Sequence, residues 1–417
     1  MTLHLSPRPY SCEFMPKFDR TEETHSISRL APLTVAHVVE GCQGGVGSAV
    51  RYLIDAQSED SAIGEVHLIA DHRRLGDMLD GAPAIVHEYQ SSRNPSKLLQ
   101  VSRTVQRHLR SIAPNVVYLH STFPGLYGRL RWRTRVDPWA TVYCAHGWAF
   151  TQQVSLPVKK LYTCVERFLA RRTDALVSIS FSELDAAVKA NVVAPLHRVI
   201  YHGVPPRKVH SPVPVSVDAN RTNFVFVGRF DRQKGLDLLL DAFADPRLNH
   251  VDLWLIGGAT LGHKYVIPDQ PNIKLIGWVA NAHIDDYIRC FDAVVVPSRW
   301  EGFGLIALEA MRNGKPVLAS RTGGLAELLI DRVNGRLFNP GDVEDLIRVL
   351  LEMSRSEIVR MGKMAVEICD TGFSVTDCYN RWSVLTRDTL AVRFKTPRYE
   401  AAASYIDSVN PQPLEEL

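Results

Sequence analysis

Nowhere in the 417-residue chain do apolar residues run uninterrupted for the roughly 18 positions that a membrane-crossing helix requires. The first residues carry Arg8, Lys17, Asp19 and Arg20 among prolines and polar residues. They lack the apolar core of a secretory signal, so the expected location is cytoplasmic, or at most the inner face of the cytoplasmic membrane. The seven cysteines, Cys12, Cys42, Cys144, Cys164, Cys290, Cys369 and Cys378, are odd in number, scattered, and never form a Cys-x-x-Cys pair. That usage fits reduced thiols rather than a disulfide framework or a zinc site. An Asp-x-Asp motif is missing, so a metal held in that manner is not suggested. Strong charge is absent too. A formal net charge of +3 gives no reason to expect nucleic acid as a partner.

What is present is an ordinary globular composition, 46% apolar and 22% charged, in a chain long enough for about two cores. Residues 1–31 and those from about 396 show no periodicity and read as extensions. Between them, LTVAHVVE is a strand-like run, GCQGGVG a glycine loop, and SAVRYLIDAQ a helical pattern. VHLIA, NVVYLH, ATVYCAHG and ALVSISFS continue the alternation with helical segments such as SKLLQVSRTVQRHLRSIA. Pro205, Pro206, Pro212 and Pro214 then mark a linker. The alternation restarts with TNFVFVGRF, VDLWLIGG, NIKLIGWV, DAVVVPS and KPVLAS. Strands alternating with helices predict parallel sheets covered on both faces, with ligands beyond the strand C-termini.

Two stretches carry the chemistry. In VVVPSRWEGFGLIALEAM, Glu301 precedes and Glu309 lies within a helix opened by a glycine loop. A carboxylate can accept two hydroxyl hydrogen bonds, which suits sugar recognition, and Gly302 and Gly304 let backbone N–H groups approach a phosphate or sugar oxygen. Read singly, Glu301 is as well a capping residue and Glu309 a solvated helix position. In FVFVGRFDRQKGLDLLLDAF, Gly228 ends a strand and Arg229 and Lys234 follow, a good clamp for a diphosphate or simply two exposed loop cations.

Taken together, GRFDRQKG, a strand with GG, GWV, PSRWEGFGLIALEAM, GKPVLAS, TGG and NGRLFNPGD run in order from about residue 224 to 342. This order resembles the family 4 retaining glycosyltransferases of the GT-B fold. The resemblance implies two Rossmann-like doubly wound domains facing across a cleft. The corresponding division is a flexible extension 1–31, an acceptor domain 32–205, a linker 206–220, a donor domain 221–372, a crossover helix 373–395 returning to the first domain, and a flexible tail 396–417. Apolar Val375, Tyr379, Trp382, Leu385 and Leu390 would give that helix a face to bury.

By the same resemblance Arg229 and Lys234 hold the donor diphosphate, Glu301 the hydroxyls of the transferred sugar, and Glu309 the nucleotide ribose. The backbone of Phe303, Gly304 and Leu305 faces sugar and phosphates, the main chain near Val279 edges the base, and Gly45 and Gly47 approach the diphosphate. His146 in YCAHG matches the active-site histidine, ahead of His120 in VYLHST. His202 in VIYHGV stands where the family usually has asparagine. The implied reaction uses a nucleoside-diphosphate sugar as substrate, no bound cofactor and no metal, and passes a sugar with retention to a saccharide or lipid-linked acceptor in bacterial exopolysaccharide or lipopolysaccharide assembly. A nucleotide-sugar 2-epimerase, a phosphorylase of the same fold, or a non-catalytic donor-binding subunit are the competing readings.

Between Lys97 and Arg172 thirteen Lys or Arg face only Asp137 and Glu166, and Arg129, Arg131, Trp132, Arg133, Arg135 and Trp139 interleave cations with aromatics. An anionic membrane surface or a lipid-diphosphate acceptor would favour such a stretch, and an ordinary solvated basic face fits as well.

Overall fold

The computed structural model describes residues 32–41, 44–74, 81–130, 137–207, 212–259 and 266–394. Seven strands form the first sheet: β1 Leu33–Val39, β2 Ile63–Asp71, β3 Ile85–Tyr89, β4 Val116–His120, β5 Ala140–Cys144, β6 Ala175–Ser178 and β7 Leu196–Val199. Helices α1 Gly45–Glu59, α2 Pro95–Ile112, α3 Thr122–Arg129, α4 Leu156–Ala170 and α5 Phe181–Lys189 connect them. The second sheet holds β8 Thr222–Val227, β9 Val251–Ile256, β10 Ile273–Gly277, β11 Ala293–Val296, β12 Val317–Ser320 and β13 Gly335–Phe338. Its helices are α6 Leu236–Phe243, α7 Ile284–Ile288, α8 Leu305–Arg312, α9 Leu325–Leu328, α10 Val343–Leu351 and α11 Arg355–Gly372, and α12 Val375–Phe394 follows.

Both sheets are parallel, ordered β3-β2-β1-β4-β5-β6-β7 and β10-β9-β8-β11-β12-β13. The chain order reverses between β1 and β4 in one and between β8 and β11 in the other. At such a switch point neighbouring loops diverge and leave a crevice. The central strands read as continuous apolar runs because helices bury both faces: VVYLH of β4 and AVVV of β11 are buried throughout. Helix α2 starts where Asn94 caps the Ser96 amide and Pro95 occupies the first position, and it ends at Ala113 in the left-handed region.

The chain passes between the sheets twice, and the two passages pair. Val204 donates to the Phe373 carbonyl at 2.9 Å and accepts from the Val375 amide at 3.1 Å. Helix α12 then lies on the first sheet, with Trp382 edge-on to Tyr118 at 5.8 Å, Tyr379 donating to Asp60 at 2.5 Å, and Arg393 bonded to the Asp137 carbonyl at 2.8 Å.

The basic and aromatic stretch divides on inspection. Arg129 is buried, pairs with Glu166 at 2.8 Å and stacks over Tyr143, and Trp139 is buried as well. These two belong to the core and correct the surface reading for themselves; Arg131, Trp132, Arg133 and Arg135 lie outside the described residues. Among the described residues no helix is long and apolar enough to cross a membrane. Cys144, Cys164, Cys290, Cys369 and Cys378 are all free thiols.

Candidate active site

The β8–α6 and β11–α8 loops sit side by side at the switch point of the second sheet. Gly235 makes their approach possible: at φ 69° it opens α6, and an added Cβ would stand 2.0 Å from the Pro297 carbonyl oxygen. Lys234 and Glu301 meet there, Nζ to Oε2 at 2.6 Å, with Ser298 Oγ donating to the same carboxylate at 3.2 Å. Glu301 is therefore not a helix cap. Gly304, at φ 98°, takes that place because a side chain would collide with Leu325. Arg229 is half-exposed and engages Asp231 at 2.8 Å and Gln233 at 2.9 Å.

Glu309 is not a solvated position either. It is buried on α8 beside Arg312, Asp285 and Tyr52 of α1, and burial pushes its carboxyl up to about 7. Arg312, bonded to Asp285, partly offsets that shift. Val279 is partly buried just beyond β10.

Gly45 and Gly47 stand in the first turn of α1 rather than in the loop before it, because the helix starts at Gly45. Gly45 faces α8 so closely that an added Cβ would lie 3.7 Å from Leu305 Cβ. The first-sheet contribution is a run of imidazoles at strand ends. Register sets His37 on β1 opposite Tyr118 on β4, and His120 opposite Cys144 on β5. His146 follows two residues later at φ 51°, a left-handed conformation uncommon for residues other than glycine. His120 Nδ1 lies 2.9 Å from His146 Nε2, and His202 stacks on His146 with centroids 5.3 Å apart. His202 in turn meets Phe303 edge-on at 5.3 Å. Burial holds His202 and His37 down to about 4, and His120 and His146 well below the usual range.

The two halves thus touch through the predicted residues. A Cβ on Gly302 would sit 3.4 Å from the Gly147 amide nitrogen and 3.2 Å from Glu183 Oε1. Glu183 was not singled out from the sequence. It is buried, accepts from the Ile179 amide at 3.0 Å, keeps Oε1 without a partner among the described residues, and is pushed by burial up to about 7. Glu327 also lacked a signal beyond its TGG context. It reaches across to the N-terminus of α5, accepting from the Phe181 and Ser182 amides at 2.9 and 2.7 Å and from Tyr201 Oη at 2.8 Å. A cavity of about 20 Å³ lined by His120, His146, His202 and Trp382 has room for roughly one water.

Comparison with known proteins fits this geometry. Residues 44–203 match the family described as glycosyl transferase 4-like domain, and residues 221–356 that described as glycosyl transferases group 1. A Klebsiella pneumoniae protein described as an uncharacterized 41.2 kDa protein in the cps region is 27% identical over 76% of this chain and 89% of its own. The Escherichia coli UDP-Gal:alpha-D-GlcNAc-diphosphoundecaprenol alpha-1,3-galactosyltransferase is 25% identical over 85% of this chain and 95% of its own. Among solved structures, Anabaena Alr3699/HepE in complex with UDP-glucose superposes with a TM-score of 0.69 at 20% identity, covering 86% of this chain and 99% of that one. With both family matches falling on the two sheets whose loops build the cleft, the chain belongs to the group 1, family 4 glycosyltransferases of the GT-B fold.

Proposed function

We propose that this glycosyltransferase moves a hexose, with retention, from a uridine-diphosphate sugar to a hydroxyl of a lipid-linked or saccharide acceptor in envelope polysaccharide assembly. The observation that carries the reading is the direct Lys234–Glu301 pair at 2.6 Å on a loop that packs against Gly147, next to His146. Lys234 and Arg229 are placed to neutralise the departing diphosphate, and preorganised charge of that kind acts most strongly in the transition state. Glu301 would take hydroxyls of the transferred sugar and hold Lys234 in place. Glu309 would take the ribose, the Gly304 and Leu305 amides the phosphates and sugar, and the main chain at Val279 the base edge. Gly45 and Gly47 would let α1 approach the diphosphate.

Retention follows from same-face attack, in which the departing phosphate accepts the acceptor's proton. The uridine assignment is supported by the donor named for the Escherichia coli relative and by the UDP-glucose complex of the Anabaena protein. A lipid-linked acceptor is supported by the diphosphoundecaprenol acceptor of the same relative and by α4, which exposes Leu156, Leu161 and Phe168 beside Lys160, Arg167 and Arg171. Peripheral binding to an anionic membrane belongs to the same proposal.

A screen of nucleotide sugars for slow hydrolysis by the purified chain tests the assignment. Hydrolysis of a uridine-diphosphate hexose that Lys234→Ala abolishes is expected. Epimerised nucleotide sugar as the product, or binding without any turnover in the presence of acceptor extracts, would favour the epimerase or the donor-binding subunit.

A further inference from the structure

The transfer reading places His146 beside the Lys234–Glu301 loop but leaves Gln57, His37 and His120 without a role, although all three are buried and joined to it. Their hydrogen bonds form one line. Thr386 Oγ1 bonds the Trp382 carbonyl on α12 at 2.7 Å and Tyr118 Oη at 2.6 Å. Gln57 reaches the same Tyr118 hydroxyl. Gln57 Oε1 stands 2.7 Å from His37 Nε2, His37 Nδ1 3.0 Å from His120 Nε2, and His120 Nδ1 2.9 Å from His146 Nε2. His146 Nδ1 is buried and has no partner among the described residues.

Counting protons orients the whole line. A carbonyl only accepts, so Thr386 gives its proton to Trp382 and must accept from Tyr118. Tyr118 has then used its proton and must accept from Gln57, which can donate only through its NH₂. The Gln57 carbonyl therefore faces His37, which donates from Nε2. A neutral imidazole carries one N–H, so His37 Nδ1 accepts from His120 Nε2, and His120 Nδ1 accepts from His146 Nε2. The last nitrogen, Nδ1 of His146, is left as a bare lone pair. Because four of the other ring nitrogens face one another in two pairs and His37 Nε2 faces Gln57, the cluster does not converge on a common point as metal ligands would.

We propose that Gln57 is a positioning residue that, through His37 and His120, fixes His146 as the Nε2–H tautomer, so that the group recognised at His146 must be a hydrogen-bond donor such as a sugar hydroxyl and not a phosphate oxygen. This rests on the proposed function, in which His146 stands beside the loop whose Glu301 takes the transferred sugar. It adds that the selectivity originates on α12, about as far from the ligand as the line is long.

The test uses the full chain with ¹⁵N-labelled histidine. Ring-nitrogen correlation spectra should show Nε2 protonated and Nδ1 bare in His37, His120 and His146, assigned by single substitution. Gln57→Met, which keeps the length but neither donates nor accepts strongly, should mix the tautomers of His146. It should raise the Kd of the nucleotide sugar active in the hydrolysis screen roughly tenfold, and leave that of the matching free nucleoside diphosphate within about twofold. A wild-type His146 protonated on Nδ1, a Gln57→Met protein with unchanged tautomers, or equal losses for sugar nucleotide and free diphosphate would overturn the proposal. The spectra need no substrate. A chain that shows the pattern yet transfers no sugar refutes the function and leaves the tautomer assignment standing.

Discussion

The loops of the second sheet and the strand ends of the first meet in one cleft, yet they are built on opposite electrostatic plans. The second presents charges in contact, Lys234 on Glu301 and Arg229 on Asp231. The first presents buried groups held near neutrality, His37, His120, His146 and His202, with Glu183 pushed up to about 7 by the same burial. Charge suits a leaving diphosphate, whereas neutral donors and acceptors suit hydroxyls, which gain little from a nearby ion and are well matched by directed lone pairs. Under the proposed transfer, the contrast would divide anion handling and hydroxyl handling between the two walls of one site.

The sharpest way to break that contrast is to remove the charge. Lys234→Ala should lower turnover by roughly 10²–10³, about 3–4 kcal/mol of barrier, while binding of the bare nucleoside changes little. Steady-state kinetics beside calorimetric binding would show it, and normal turnover in a folded variant would remove Lys234 from the chemistry.

The neutral wall is tested through Glu183. Its folded value of about 7 lies above the unfolded value of 4.5. Below 4.5 both states are protonated and there is no effect. As pH rises from 4.5 to 7 the folded state retains a proton the unfolded state has lost, so stability falls, and the full penalty applies above 7. Glu183→Gln should therefore raise Tm by several degrees at pH 8, for a relieved penalty of about 1–3 kcal/mol, and by almost nothing at pH 4. An equal change at both pH values would mean that Glu183 is charged in the folded protein and that the first wall is not neutral.

On the second wall, Glu301, paired with Lys234, and Glu309, pushed by burial up to about 7, should separate. Glu309→Gln should raise the Kd of both the nucleoside diphosphate and the whole donor by about 1 kcal/mol, roughly fivefold, and Glu301→Gln should mainly reduce transfer. Titration calorimetry with both ligands checks this, and identical behaviour of the two variants would merge their roles. The smallest effect is expected where the walls are joined. Glu327→Gln keeps the shape but weakens the charged acceptor for the Phe181 and Ser182 amides, and should raise donor KM a few-fold with kcat nearly unchanged. Small-angle scattering should show a slightly more open mean shape, and an unchanged KM would mean that this contact does not govern closure.

How much of this was readable in the one-dimensional chain depends on the range of the interaction. The central strands, among them LTVAHVV, VVYLH and AVVV, announced themselves because strands covered on both faces need apolar runs. The edge strands β3 and β7 did not: Ile85 and Val86 are substantially exposed, and LHRV of β7 has no apolar run. The Lys234, Glu301 and Glu309 positions lay within recognisable loop-helix signatures. The wall built by the first sheet had no such signature, since His37, Gln57, His120 and His146 are spread over more than a hundred residues and gain meaning only when β1, β4 and β5 lie side by side. Arg129 and Trp139 mislead in the opposite direction, because a cation beside aromatics looks like surface until Glu166 and Tyr143 are seen to enclose it.

By itself, then, the sequence determined two α/β units, the order of the loops at the second switch point, and which short-range glycine positions free the backbone there. These depend on local periodicity and on φ, which neighbours in the chain dictate. Tertiary structure alone decided that Glu309 is buried, that Glu183 and Glu327 stand at the junction of the halves, and that Trp382 of α12 begins a proton-ordered line ending at His146. A burial penalty or a hydrogen-bond direction is set by what packs against a group from distant parts of the chain, and no spacing along one dimension encodes that.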